Sequence, residues 1–207
     1  MQTFTPPRPP AYRAARPREK SALLLSHVLA PANLVIALLP LIGWHSTRSW
    51  QGAAWGLLAT VFCGAVPIGI VAMGVRRGAL TDAHIRVRRQ RLVPMGASLL
   101  SVVAGMALLY GAHAPRAVLA LVVSMLVGLV LSLAVTAWWQ ISLHNSVAGG
   151  TVIVLALAFG PVVLAVAVVG AAAIGWSRLA LRAHTVAQVV AGTALGAASG
   201  LVFALLR

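Results

Sequence analysis

Residues 146–176 read SVAGGTVIVLALAFGPVVLAVAVVGAAAIGW, an uncharged apolar run whose interpretation decides the fold. As one helix of about thirty residues it is long for a single membrane crossing. As two helices broken at Gly160-Pro161 it becomes a hairpin, because proline cannot continue a ladder that glycine has already loosened. The choice decides which loops meet. A single helix sends the loop at Ser142–Asn145 and the loop at Arg178–His184 to opposite ends of the molecule. A hairpin returns them to the same end, the only arrangement in which their polar side chains converge. The hairpin is expected.

Outward from this run the chain is of one kind. Hydrophobic residues make up 60% and charged residues 9% of the 207 positions, and mean hydropathy is +0.95. Soluble domains carry roughly 25% charge. Apolar segments fall at about 22–43, 52–74, 93–111, 116–138, 146–159, 161–176 and 185–206, most near the roughly 20 residues that span a bilayer. No short alternating segments suggest an outer-membrane barrel. The expectation is an all-α, multi-pass transmembrane bundle of six or seven helical segments, a single domain over 21–207. Residues 1–20, rich in Pro and Arg, read as a disordered basic tail. A cleavable signal peptide is not expected, since the first apolar run starts late and is too long for an h-region. Pro31 and Pro40 are candidate kinks within that run.

The formal charge of +14 invites a nucleic-acid reading, but its distribution rejects one. The arginines lie in the tail and in short loops, with no basic stripe interleaved with aromatic residues. Membrane orientation and phosphate binding account for them better. Arg8, Arg13, Arg16, Arg18 and Lys20 place the N-terminus in the cytoplasm by the positive-inside rule. Two crossings later the loop Arg76–Arg91 is cytoplasmic too. Trp44, Trp50, Trp138, Trp139 and Trp176 stand at segment ends as interface anchors. Cys63 is the single cysteine and allows neither an intramolecular disulfide nor a cysteine metal site. Gly192, Gly196 and Gly200, four residues apart, read as a close-packing stripe on the last helix.

Three polar islands remain: Thr81–Leu92, Gln140–Asn145 and Trp176–Gln188. Ionisable groups at membrane depth are costly and usually functional. The acids are only Glu19 and Asp82, so neither a paired-carboxylate hydrolase nor a carboxylate cage for magnesium or calcium is available. Arginine forks match phosphate oxygens. One histidine can attack phosphorus while a second protonates the leaving oxygen. The inventory permits phosphate chemistry with no metal and no cofactor. Asp82 reads as a partner for a neighbouring arginine, and His45 and His113 as surface residues of the opposite face. His27 and Asn33 read as makers of interhelical hydrogen bonds.

These islands resemble the type 2 phosphatidic acid phosphatase superfamily, with its motifs Lys-x6-Arg-Pro, Pro-Ser-Gly-His and Ser-Arg-x5-His-x3-Asp. The third is matched by Ser177-Arg178, His184 and, in the Asp position, Gln188. The second is matched in spacing by Ser142-Leu143-His144. The first is matched by His84, Arg91 and Leu92 in the Lys, Arg and Pro positions. The resemblance covers roughly residues 80–200. It implies an integral membrane hydrolase in which His184 forms a phosphohistidine and His144 protonates the leaving group. Arg91, Arg178, Ser142, His84 and the backbone near Leu143 would hold the phosphoryl oxygens, and Gln188 would orient His184. The implied substrate is a lipid or polyprenyl phosphate or diphosphate, with membrane lipids as neighbours. Gln188 brings no negative charge, which leaves His184 less activated than the family pattern and makes a non-catalytic lipid-phosphate binder the alternative. The plainer alternative for Ser142 and His144 is a helix-capping serine and an interfacial histidine.

Overall fold

A computed structural model describes Pro6, Pro7 and residues 10–207. The described residues form eight helices and no strand. They are α1 (Pro17–Val28), α2 (Pro31–Thr47), α3 (Trp50–Arg76), α4 (Arg88–Gly111), α5 (Arg116–Trp138), α6 (Leu143–Phe159), α7 (Pro161–Ala180) and α8 (Val186–Leu206). Five of them are long and apolar enough to cross a membrane, or six if α1 and α2, bent by 43°, form one broken span. Many large apolar side chains, among them Val93, Leu100, Val162, Val166, Val190 and Leu205, point outward. Exposed in such number they suit a lipid surround, where the apolar exterior is the solvated one.

The break at Gly160 is present. Its φ of 84° lies in the left-handed region that glycine tolerates, and Pro161 opens α7 at its first position. The hairpin arms are longer than the sequence reading allowed. At 17 and 20 residues they run about 25 and 30 Å at 1.5 Å per residue, so α7 alone has the length of a crossing. Helix α7 continues through Ser177 and Arg178 because nothing after Trp176 breaks it.

Two further boundaries differ from the sequence reading. The first apolar run is divided: α1 ends at Val28 and α2 starts at Pro31, whose ring disfavours helix in the residue before it. Pro40 stays inside α2. Helix α1 also begins within the expected tail, with Pro17 in its first turn and the Glu19 carboxylate accepting the Arg16 N–H at 2.9 Å. The tail reading for residues 1–5 and 8–9 falls outside the described residues.

Helix α3 contains a five-residue π turn, Val61–Ala65, just before Pro67. The Val66 N–H reaches back to Val61 O, and the Phe62 carbonyl it would otherwise have bonded accepts the Ser101 hydroxyl of α4 at 2.8 Å. A defect in one ladder thus becomes an interhelical tie. The glycine stripe of α8 packs on α6. A Cβ at Gly192 would stand 2.5 Å from Ser142 O, and one at Gly196 would collide with Ser146 O. Ser124 Oγ donates to Ser199 O at 2.7 Å, tying α5 to α8.

These contacts define two ends. At one, Arg116 Nε donates to Leu206 O and Arg207 Nη1 to Leu157 O, while His45 rests on Phe159 with ring centroids 4.3 Å apart. At the other lie α1, the loop 77–87, the loop 139–142 and the loop 181–185. The three polar islands share this end.

Candidate functional site

His184 sits in the turn between α7 and α8, 6% exposed. Thr185 caps α8: its hydroxyl accepts the Gln188 N–H at 3.3 Å, and Gln188 Oε1 accepts the Thr185 N–H at 3.2 Å. The same Oε1 lies 3.1 Å from His184 Nδ1. A backbone N–H can only donate, so the amide oxygen must face it. An oxygen there requires Nδ1 to carry the imidazole proton. The lone pair of His184 is therefore on Nε2. A reciprocal helix cap thus also sets the tautomer of a cavity-lining histidine. Burial first, and then the guanidinium charges of Arg178 and Arg91, hold the His184 imidazole far below the ordinary histidine range, at about 3.

Two arginines flank it. Arg178, in the last turn of α7, is 5% exposed, and Arg91, in the first turns of α4, is 4% exposed. Arg91 Nε donates to Ile85 O at 2.7 Å and Nη1 to Ile141 O at 3.1 Å, which pins the loops 77–87 and 139–142 to one another. Arg178 Nη1 donates to Ser26 Oγ, and its buried Nε has no partner. Neither guanidinium has a carboxylate within salt-bridge distance. Among the described residues the ion pairs are Arg16–Glu19 and Arg86–Asp82. Two buried cations without an anion are costly.

His144, in the first turn of α6, is buried and stacks on His84, with centroids 5.7 Å apart and planes 9° from parallel. Its Nε2–H donates to Ser26 O at 3.3 Å. Asp82 Oδ1 accepts the His84 N–H at 2.9 Å and lies 3.8 Å from Arg86 Nε, which shapes the loop carrying His84.

These side chains share one cavity of about 600 Å³. His27, His84, Arg86, Arg91, His144, Arg178 and His184 line its polar end. Its long wall is apolar, built from residues such as Leu38, Ile68, Val71, Met95, Met125 and Val154. The cavity therefore joins a basic end to an apolar wall.

Of the seven residues expected at the site, His184, His144, Arg178, Arg91 and His84 line this cavity. Gln188 stands behind His184, fully enclosed. Ser142, expected to hold phosphate, is not among the residues that line the cavity. Its hydroxyl donates to Asn145 Oδ1 at 3.0 Å and accepts the Asn145 N–H at 3.4 Å, so it caps α6. The helix-capping alternative applies, because a serine one residue before a helix is closer to that helix's free N–H groups than to anything else. Asn33 Nδ2 donates to His27 O at 3.0 Å and Val28 O at 3.1 Å, closing the α1–α2 bend. Ser26 is marked by no motif spacing, and His27, expected to make interhelical hydrogen bonds, lines the cavity. No protein-family model, curated protein or solved structure matches the chain.

Proposed function

We propose that the protein is an integral membrane phosphatase that hydrolyses a lipid or polyprenyl phosphate or diphosphate through a phosphohistidine, without a metal. The observation that carries this reading is the pair of buried guanidiniums, Arg91 and Arg178, which have no carboxylate partner and meet a free histidine lone pair at the mouth of an apolar cavity. An anion must complete such a site, and the apolar wall asks that it carry a tail.

Nε2 of His184 attacks phosphorus, and the bond to the leaving oxygen breaks as the P–N bond forms. The Nδ1–H bond to Gln188 holds the ring in line and takes up part of the positive charge. Arg178 and Arg91 meet the equatorial oxygens, donors worth several kcal/mol each where charge develops, roughly. His144 lies across the cavity as the proton donor for the leaving oxygen. A water then attacks the phosphohistidine and passes its proton back to His144; the P–N bond breaks, releasing His184 and inorganic phosphate.

Of the fifteen Lys and Arg among the described residues, twelve lie at the site end, and Arg48, Arg116 and Arg207 at the other. By the positive-inside rule the N-terminus and the site face the cytoplasm.

A second reading, a lipid-phosphate binder without turnover, is favoured by the neutral Gln188 and by the His144 Nε2–H being held by Ser26 O. Purified protein in detergent with chelator, offered phosphatidate, diacylglycerol pyrophosphate, prenyl phosphates and prenyl diphosphates, separates the two. Phosphate release that vanishes in His184→Ala is the expected result. Binding with no release, unchanged by that substitution, sinks the enzyme reading.

A further inference from the structure

Catalysis as described makes no use of α1, yet α1 reaches the centre of the site. The helix lies along α7: Ala22 is buried against Leu181 and Ala183, and the Arg18 guanidinium stands 6.0 Å over the Trp176 ring. Its last turn delivers Ser26, 2% exposed, between two groups of the site. Arg178 Nη1 donates to the Ser26 hydroxyl, and His144 Nε2 donates to the Ser26 carbonyl. That carbonyl is free because the N–H groups of Leu29 and Ala30 turn back to Leu25 and His27 instead. Final carbonyls of a helix carry partial negative charge and seek donors. Two oxygens of one residue therefore sit on two donors that a phosphate would use, while the third donor nearby, Arg178 Nε, has no partner.

There is room for this turn to move. Beside it lies a second cavity of about 320 Å³, bordered by Ser26, Leu23 and Tyr12 and sharing His27, His84, Arg86 and Arg178 with the first. The α1–α2 bend supplies a hinge, held by the two Asn33 side-chain bonds and by the Ala30 N–H on His27 O.

We propose that the last turn of α1 is a strap in which Ser26 stands in for phosphoryl oxygens. It occupies Arg178 and His144 while the site is empty and swings toward the second cavity when a phosphate or phosphate monoester enters. This rests on the function proposed above. The strap competes with the ligand, so it sets affinity. It also frees the His144 proton only when the ligand is in place.

The test uses the full chain in detergent, with inorganic phosphate and orthovanadate as probes. Ser26→Ala leaves Arg178 with one more unpaired donor in the empty protein. Both anions should then bind about tenfold to a hundredfold more tightly, the range set by one hydrogen bond to a charged group. In the wild-type protein, hydrogen exchange across residues 17–28 should speed up on adding orthovanadate. Equal or weaker binding by a folded Ser26→Ala protein overturns the strap. If that variant does not fold, the exchange measurement decides: slower or unchanged exchange in α1 overturns it. Wild-type binding that Arg178→Ala abolishes, with Ser26→Ala unchanged, removes the strap and leaves the phosphate site standing. No binding by the wild type removes both.

Discussion

Replacing Gln188 by glutamate tests the site's central geometry. Oε1 of Gln188 serves two donors, the Thr185 N–H at 3.2 Å and His184 Nδ1–H at 3.1 Å. Glutamate has the same reach, so both bonds survive, and the acceptor becomes a charged one. Hydrogen bonds to ionised groups contribute about 1.5–3 kcal/mol net against about 1 for neutral pairs. In the proposed mechanism the gain of about 1 kcal/mol is realised as His184 becomes cationic on attacking phosphorus. It therefore belongs to the transition state and raises kcat about fivefold to tenfold, at 1.36 kcal/mol per decade. The His184 pKa rises from about 3. Repulsion between the new carboxylate and bound phosphate is common to ground and transition states, so it raises KM and not the chemical barrier. The buried carboxylate is offset by Arg178 and Arg91, whose charges already act on His184. Single-turnover phosphate release with saturating prenyl phosphate, alongside a melting curve, measures both. An unchanged or lower kcat in a protein that melts normally would refute the reasoning. Gln188→Asp carries the same charge on a shorter arm, and should gain rate while losing about 1 kcal/mol of the α8 cap.

Ser142→Ala should cost about 1 kcal/mol of stability through the α6 cap and leave KM for the phosphate substrate unchanged; a large rise in KM at unchanged stability would return Ser142 to the phosphate. Gly196→Ala should destabilise the α6–α8 contact by more than the ~1 kcal/mol of a typical point substitution, because its Cβ would meet Ser146 O, a backbone atom that cannot rotate away. A melting temperature at or above wild type would show that the helices can part at no cost. The pH dependence follows from His184, which sits at about 3 against an ordinary 6.5. Its depressed value means the unfolded chain takes up the proton first. Its contribution to stability is whole above about pH 6.5 and is lost as pH falls from there toward about 3. His184→Asn should flatten that limb of a stability–pH profile, and an identical limb in the variant would contradict the burial argument.

Composition, apolar run lengths and the Gly160-Pro161 pair determined the all-α membrane bundle and its hairpin, because in lipid a chain must satisfy its backbone within each helix. Local spacing determined as much of the site as local geometry can. Three residues between His184 and Gln188 put the amide one turn from the ring, and the order Thr185-x-x-Gln188 makes a helix cap. Tertiary structure alone decided the rest. Ser142 has the spacing of a motif residue, but its hydroxyl is consumed by the first turn of α6. Ser26 has no motif at all, and enters the site only because α1 folds back over α7, a contact across 152 positions between Ser26 and Arg178. Periodicity and spacing report what one helix does to its neighbours in sequence. Which oxygen reaches a buried guanidinium depends on how separate helices pack, and that is written in no single segment.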